Sequence, residues 1–145
     1  MIRKIGVIGA GQMGNGIAHV CALAGYSVVL IDISQDQLKK AQETIRRNLD
    51  RQLSRNAISE TERAEALARI ETSVSIDDLG DADLVIEAAT EDEQVKRKIF
   101  VQICPKLKKE ALIATNTSSI SVTRLASVTD RPEKFMGMHF MNPVP

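Results

Sequence analysis

The chain has 145 residues, of which 43% are hydrophobic and 26% are charged, and its formal net charge is zero. A chain of this length has the size of one domain and can bury a substantial core. The charge balance gives no sign of nucleic acid or a membrane surface as a general partner, and no stretch is apolar for long enough to cross a bilayer.

The first predicted elements are a strand, a glycine-rich turn and a helix. Residues 5–8 are rich in β-branched side chains, which is typical of a strand buried on both faces of a parallel sheet. Gly9, Gly11 and Gly14 follow with the spacing G-x-G-x-x-G, and apolar residues at helical spacing continue to Gly25, a residue suited to end a helix. In this motif the first glycine allows the tight turn, the second lets a pyrophosphate approach the backbone, and the third lets the helix pack closely on its strand.

This turn predicts a dinucleotide site. The free amide groups at the helix start, where Gln12 and Met13 lie, would hold phosphates together with the positive end of the helix dipole. A second strand-like run over residues 27–31 ends at Asp32. That aspartate is close to the offset of about 20 residues past the last glycine at which an acidic residue binds an adenosine ribose. An acid there would repel a 2′-phosphate, which favours NAD over NADP; an ordinary βαβ unit with a surface aspartate is the alternative.

Two helices are predicted between the second and third strands. Capping boxes that begin at Ser34 and Ser59 open them, and Asn56 can end the first, while the second continues to Ile70. The first has an apolar residue at every third or fourth position and an outer face rich in Lys and Arg. A solvated helix surface explains that basic face, and a phosphate-bearing substrate is the alternative explanation.

The rest of the chain continues to alternate between strands and helices. The predicted strands are residues 72–75, 83–89, 111–115 and 135–140. A third capping box, made by Thr90 and Glu93, opens a helix after the second of these strands, and a short helix is expected over residues 122–128.

This alternation predicts an α/β protein with a doubly wound, mostly parallel Rossmann-type sheet and a helical hairpin inserted after the second strand. Ligands bind such sheets beyond the carboxyl ends of the strands. That rule places several segments on one rim of the sheet. They are residues 9–14, Asp32, 88–91, 116–119 and 139–142.

His139 is the candidate acid or base on this rim, because histidine titrates near neutral pH. If NAD is the cofactor, a base must take the alcohol proton as the hydride leaves for the nicotinamide. A histidine held at a strand end by a backbone hydrogen bond is the structural alternative. Ser118 is the candidate donor to the same oxygen, with Asn116 and Asn142 as polar groups near the nicotinamide. Turn formation and helix capping explain residues 116–119 as well.

Three further residues and the chain start bear on chemistry and compartment. Cys21 and Cys104 lie in apolar helical patterns and lack the spacing of a metal site or a disulfide framework, which favours buried, reduced thiols. His19 lies inside the first helix, where a packing or surface role is expected. The first strand begins within a few residues of Met1 and leaves no room for a signal or transit peptide, so we expect a cytoplasmic protein. A processed organellar protein renumbered from a new Met1 would have the same start.

Three motifs carry a resemblance to a known family. Residues 9–18 read GAGQMGNGIA, residues 116–119 read NTSS, and residues 137–145 read GMHFMNPVP. In this order they resemble the L-3-hydroxyacyl-CoA dehydrogenase family, and within it the bacterial 3-hydroxybutyryl-CoA dehydrogenases. The resemblance covers the whole chain, and the last motif is far more specific than the glycine fingerprint.

The resemblance implies roles for residues at matching positions. His139 would be the catalytic base, Ser118 would bond the substrate oxygen, and Asn142 would lie beside the nicotinamide. On the helical hairpin, Asn48 and Arg55 would meet coenzyme A. The residues implied to bind NAD are Gly9, Gly11, Gln12, Met13, Gly14, Asp32, Glu91, Lys96, Asn116, Ser118 and Asn142.

The resemblance also implies that residues 1–145 are the NAD-binding domain of a longer enzyme. In the family a glutamate about a dozen residues beyond the catalytic histidine orients the imidazole. A mainly helical second domain closes the substrate cleft and forms the homodimer contact. Because both fall outside this sequence, we expect the chain to bind NAD and to turn over poorly or not at all.

The implied reaction transfers a hydride between NAD and C3 of a short-chain (S)-3-hydroxyacyl-CoA, such as 3-hydroxybutyryl-CoA or, in reverse, acetoacetyl-CoA. One alternative is an NAD-dependent dehydrogenase of a small hydroxy acid that lacks coenzyme A. A second alternative is a non-catalytic NAD-binding module that senses redox state.

Overall fold

Strands and helices follow one another along the part of the chain that the structure describes. A computed structural model describes residues 1–117 and 119–138. The strands are β1 Lys4–Ile8, β2 Ser27–Ile31, β3 Ile70–Ser73, β4 Leu84–Glu87, β5 Leu112–Asn116 and β6 Phe135–Met138. The α-helices are α1 Gln12–Leu23, α2 Gln35–Ser54, α3 Glu60–Arg69, α4 Glu93–Ile103 and α5 Val122–Ala126. Short 3-10 turns cover Ile76–Leu79, Cys104–Lys106 and Pro132–Lys134.

The six strands form one sheet in the order β3-β2-β1-β4-β5-β6, and every pair is parallel. The predicted doubly wound fold is therefore confirmed, with no antiparallel pair among the described strands. One buried cluster covers the face with α1, α2 and α3 and includes Ile17, Leu38 and Ile45. The other covers the face with α4 and α5 and includes Phe100 and Leu125. Burial on both faces explains the β-branched runs of the central strands.

The predicted helical hairpin is α2 followed by α3, which lie between β2 and β3 in the chain. Asn56, with a φ of +59°, follows the end of α2 and adopts the left-handed conformation that asparagine tolerates. At the start of α3 the side chain of Ser59 accepts from the amide of Glu62, whose carboxylate accepts from the amide of Ser59. This second predicted capping box is therefore confirmed.

The predicted capping box of Thr90 and Glu93 is wrong. The cap of α4 is Asp92, whose Oδ1 accepts from the amides of Gln94 at 2.9 Å and Val95 at 3.2 Å. Thr90 instead accepts from the amide of Asp92 and forms the turn that precedes the helix. Aspartate caps helices at least as well as threonine, so the next acceptor along the chain takes the position.

The third strand begins earlier than predicted. Ile70, expected to end a helix, pairs with Val28 of β2, and β3 ends at Ser73 rather than at residue 75. Pairing with a neighbouring strand decides the state of a short β-branched segment that local periodicity leaves ambiguous.

Asp83 fastens the first strand to the start of the fourth at the amino edge of the sheet. Its Oδ2 accepts from the backbone amides of Arg3 at 2.8 Å and Lys4 at 3.0 Å, and its Oδ1 pairs with Nζ of Lys108. The hydrogen bond from Lys108 and those from the two amides hold the pKa of Asp83 well below its usual range.

We expect Asp83→Asn to lower the free energy of unfolding at pH 7. Because the pKa of Asp83 is depressed on folding, its stabilisation is complete above the unfolded pKa of about 3.9 and is lost as pH falls further. The difference in the free energy of unfolding between the wild type and the variant should therefore shrink as the pH falls below about 4. Urea unfolding at several pH values measures it, with Glu110→Gln, at an exposed site, as the control. A deficit that stays constant with pH would contradict this role of the carboxylate.

Candidate dinucleotide-binding site

The carboxyl ends of the parallel strands bring the predicted site segments to one edge of the sheet. The amide of Gly9 donates to the carbonyl of Ile31 at 2.8 Å, and the amide of Ala88 donates to the carbonyl of Ile8 at 2.8 Å. The turn after β1 therefore lies between the ends of β2 and β4. In the described residues, the segments predicted for the rim are adjacent to one another.

The three glycines of the fingerprint differ in their surroundings as the motif predicts. Gly9 has a φ of +103°, and a Cβ there would lie 2.6 Å from Cα of Ala89. A Cβ on Gly14 would lie 1.5 Å from the carbonyl oxygen of Gly9, so α1 begins directly against the turn. A Cβ on Gly11 would have no atom within 4 Å, which leaves its backbone open to a ligand.

The backbone amides in the first turn of α1 have no acceptor within the helix. Helix α1 begins at Gln12, and Gly11, its cap, supplies no side-chain hydrogen bond to the amides that follow. Amide groups at the start of a helix bind phosphate through their hydrogen bonds and through the helix dipole. Gln12 and Met13 thus lie where the fingerprint predicts the pyrophosphate.

Asp32 links the glycine turn to the start of α2. Its Oδ2 accepts from the amide of Ala10 at 2.9 Å, and its Oδ1 accepts from the amide of Ser34 at 2.9 Å. Ser34 in turn accepts from the amide of Gln37, so only one half of the capping box predicted there forms. A carboxylate oxygen has two acceptor directions, which leaves capacity for ribose hydroxyls beside the two backbone bonds.

Glu91 joins the loop after β4 to the loop after β5. Its Oε2 accepts from Oγ1 of Thr117 at 2.9 Å and from Oγ of Ser119 at 2.8 Å. These two hydroxyls flank position 118 in the chain. The other predicted catalytic and nicotinamide positions, Ser118, His139 and Asn142, lie outside the described residues.

A fully buried ion pair lies behind this edge. Lys96 and Glu87 each have no exposed side-chain surface, and their Nζ and Oε1 atoms are 2.5 Å apart. Nζ of Lys96 also donates to the carbonyl of Asn116 at 3.2 Å, and Oγ1 of Thr115 donates to Oε1 of Glu87 at 2.7 Å. Sequence reasoning missed Glu87. The signal available was a carboxylate inside a strand that is otherwise apolar on both faces.

Asn48 and Arg55 lie together near the end of α2. With Arg51, Gln52 and Ala57 they line a groove of about 210 Å³, and Arg51 donates to Oδ1 of Asn48. This groove contains the basic residues and amides that a phosphate or pantetheine amide would need.

His19 and Cys104 are buried in the protein interior, and Cys21 is partly buried. His19 is 1% exposed, its Nε2 lies 2.8 Å from Oε1 of Gln52, and burial lowers its pKa. Cys21 is half-buried and Cys104 is buried, both as free thiols, and burial raises the pKa of Cys21 to about 11.

Within residues 1–117 and 119–138, no helix is long and apolar enough to span a membrane, and no cluster of potential ligands could hold a metal ion.

Comparisons with known proteins identify the family of this chain. The family model described as "3-hydroxyacyl-CoA dehydrogenase, NAD binding domain" matches residues 4–145. A 3-hydroxybutyryl-CoA dehydrogenase of Bradyrhizobium diazoefficiens is 61% identical over 145 residues, which cover 100% of this chain and 50% of that protein. A fatty acid oxidation complex subunit alpha of Acinetobacter baylyi is 39% identical over 99% of this chain and 20% of its own length.

The fold comparison gives the same result. The crystal structure of (S)-3-hydroxybutyryl-CoA dehydrogenase from Ralstonia eutropha superposes with a TM-score of 0.97 and 50% identity, over 100% of this chain and 51% of that one. The chain spans about half the length of the curated 3-hydroxybutyryl-CoA dehydrogenases that it matches. With its parallel sheet, its glycine turn and its match over nearly every residue, the chain belongs to the 3-hydroxyacyl-CoA dehydrogenase family, in which it forms the NAD-binding domain.

Proposed function

We propose that the whole protein is an NAD-dependent dehydrogenase of short-chain (S)-3-hydroxyacyl-CoA thioesters such as 3-hydroxybutyryl-CoA, and that residues 1–145 supply its cofactor-binding half. The observation that carries the proposal is the 61% identity, over the whole chain, to a protein named for that activity. The geometry of the glycine turn and of Asp32 supports the same cofactor.

The proposed roles of the cofactor-binding residues follow from their positions at the carboxyl edge of the sheet. Bound NAD supplies the hydride acceptor. The amides at the start of α1 hold its pyrophosphate, and Asp32 accepts hydrogen bonds from its adenosine ribose. Asn116, the last residue of β5, and Glu91, beyond the end of β4, would complete the nicotinamide side together with Ser118 and Asn142.

His139 and Ser118 are the proposed catalytic residues. Ser118 donates a hydrogen bond to the C3 oxygen and holds it in place, while His139 takes the hydroxyl proton as the hydride leaves C3. The carbon–oxygen bond becomes a carbonyl, and the proton stays on the imidazole. In the reverse direction His139 returns the proton to the oxygen of a 3-ketoacyl thioester.

We also propose a site for coenzyme A and an assembly. The groove of Asn48 and Arg55 would hold part of the coenzyme, which gives a functional reason for the basic outer face of α2. The relatives' additional length would supply a second domain that closes the cleft and forms a homodimer. A cytoplasmic location accords with this chemistry.

The test is a titration of this chain with NADH and with NADPH, followed by addition of acetoacetyl-CoA while NADH absorbance is recorded. We expect selective binding of NADH and no sustained oxidation, because the second domain is needed for turnover. Sustained oxidation would show that this chain is sufficient. Failure of the folded chain to bind either nucleotide would overturn the cofactor site.

The same titration of the variant Asp32→Asn tests whether this carboxylate sets the preference for NADH over NADPH. Removing the negative charge should weaken NADH binding and narrow the preference for NADH over NADPH by about tenfold, because a like-charge contact with a 2′-phosphate is lost. Asp36→Asn, an exposed aspartate in the first turn of α2, is the matched control. An unchanged preference would show that Asp32 does not face the 2′ position.

A further inference from the structure

A buried histidine contacts the groove in which part of coenzyme A is proposed to bind. His19 of α1 is 1% exposed, and its Nε2 lies 2.8 Å from Oε1 of Gln52, a residue of α2 that lines the groove. Nδ1 of the same ring is buried and has no hydrogen-bond partner among the described residues. The function proposed above assigns no role to either side chain.

The surroundings of the imidazole determine which of its nitrogens carries a proton. Burial lowers the pKa of His19, so the ring is neutral at pH 7 and holds one proton. A proton on Nδ1 would be a buried donor without an acceptor, and such orphaned N–H groups are rarer in protein interiors than acceptors without a donor. The proton therefore lies on Nε2, which donates to Oε1 of Gln52.

This bond fixes the orientation of the Gln52 side chain. An amide accepts hydrogen bonds at its carbonyl end and donates them at its NH2 end. Because His19 binds the carbonyl end, the NH2 end is the one left for a ligand. Within residues 1–117 and 119–138, Nδ1 of His19 is the only buried side-chain polar atom without a hydrogen bond, so the NH2 end of Gln52 is not enclosed by the protein.

The other polar groups of the groove are also donors. Arg51 donates to Oδ1 of Asn48, which leaves the NH2 group of that asparagine for a ligand. The guanidinium groups of Arg51 and Arg55 can only donate. The backbone carbonyls of residues 51–53 already accept from the amides of residues 55–57. The groove therefore offers donors and two positive charges, while its carbonyl oxygens are engaged inside the protein.

This arrangement favours a phosphate over the amides of pantetheine. Phosphate oxygens only accept hydrogen bonds, whereas each pantetheine amide needs an acceptor as well as a donor. The groove lies at the carboxyl end of α2, where the helix dipole is equivalent to about half a negative charge. The positive charges of Arg51 and Arg55 outweigh this contribution.

Resting on the coenzyme A site proposed above, we propose that the NH2 group of Gln52 donates to a phosphate of coenzyme A and that His19 is the positioning residue that holds this amide in the donating orientation. Because His19 is almost fully buried, it acts through Gln52 and does not touch the ligand. Asn48, Arg51 and Arg55 surround the same phosphate.

The test uses the protein extended to the length of its relatives and compares acetoacetyl-CoA with acetoacetyl-pantetheine, which has the same thioester but no phosphate. Gln52→Leu removes a hydrogen bond to a charged group and should raise KM for acetoacetyl-CoA about fivefold or more. It should leave kcat and the KM for acetoacetyl-pantetheine unchanged. Gln52→Glu can still accept from His19 and should raise KM for acetoacetyl-CoA further, because a carboxylate repels phosphate.

Variants at position 19 test the positioning role. His19→Leu leaves the carbonyl of Gln52 without its donor and should raise KM for acetoacetyl-CoA about as much as Gln52→Leu. His19→Gln supplies an amide donor of similar reach and should restore the wild-type KM. Nitrogen-15 NMR of the imidazole should show the proton on Nε2 at pH 7. The control is Gln42→Leu, which removes an exposed glutamine from the same helix and should change neither KM.

Several results would overturn this inference. An unchanged KM for acetoacetyl-CoA in Gln52→Leu, or an equal rise with both substrates, would mean that Gln52 does not bind a phosphate. Equal KM values for His19→Leu and His19→Gln, or a proton on Nδ1, would mean that His19 does not orient the amide. If His19→Leu does not fold, the position of the imidazole proton decides the positioning role.

Failure of the proposed function gives a different result. A wild-type protein that oxidises NADH with neither substrate would overturn the proposed dehydrogenase activity, and the roles of Gln52 and His19 with it. A wild-type protein with the same KM for both substrates would retain the dehydrogenase activity and overturn only the phosphate site.

Discussion

Gly14→Ala is expected to abolish measurable NADH binding and to lower the free energy of unfolding by about 3 kcal/mol or more. The new Cβ would lie 1.5 Å from the carbonyl oxygen of Gly9, which is a covalent distance. Both groups are fixed to backbone, so no rotamer change relieves the overlap. The start of α1 must move away from the turn after β1, and this separates the amides that are proposed to bind the pyrophosphate. NADH titration and urea unfolding of the same preparation measure both effects.

Gly11→Ala is the matched control for that substitution. A Cβ on Gly11 would meet no atom within 4 Å, so stability should be close to wild type. NADH binding should still weaken, because the methyl group occupies the open side on which the pyrophosphate is proposed to approach. Wild-type NADH affinity in Gly14→Ala, or a large loss of stability in Gly11→Ala, would contradict the geometry of the turn.

His139→Ala, made in the protein extended to the length of its relatives, is expected to lower kcat by a factor of about 10² to 10⁴, the usual contribution of a general base. Position 139 directly follows β6, whose Met138 pairs with Asn116 of β5 at the edge that carries the glycine turn. Removing the imidazole leaves no base for the C3 hydroxyl proton in the proposed chemistry.

Oxidation of NADH with acetoacetyl-CoA measures this loss, and NADH affinity serves as the internal control. The affinity should change little, since the adenine half of the cofactor is proposed to bind at the ends of β1 and β2, remote in sequence from this residue. An unchanged kcat would mean that another group takes the proton. Loss of NADH binding along with kcat would mean that the substitution disturbs the cofactor site.

The sequence by itself determined the features that depend on neighbouring residues. The spacing of Gly9, Gly11 and Gly14 and the capping box of Ser59 are short-range patterns. Each pattern specifies a local backbone conformation through φ preference, backbone clearance or a hydrogen bond within one turn. Alternation of apolar runs with helical periodicity was likewise enough to predict a parallel, doubly wound sheet.

Only the tertiary structure decided the features that join distant segments. Glu87 meets Lys96, Thr115 and Ala89 because β4, α4 and β5 converge at one edge, and nothing in the local sequence around Lys96 predicts an enclosed ammonium. Ile70 is a strand residue because β2 offers it a partner. In both cases a local pattern permits several states, and the choice is made by hydrogen bonds and burial that exist only once the sheet has assembled.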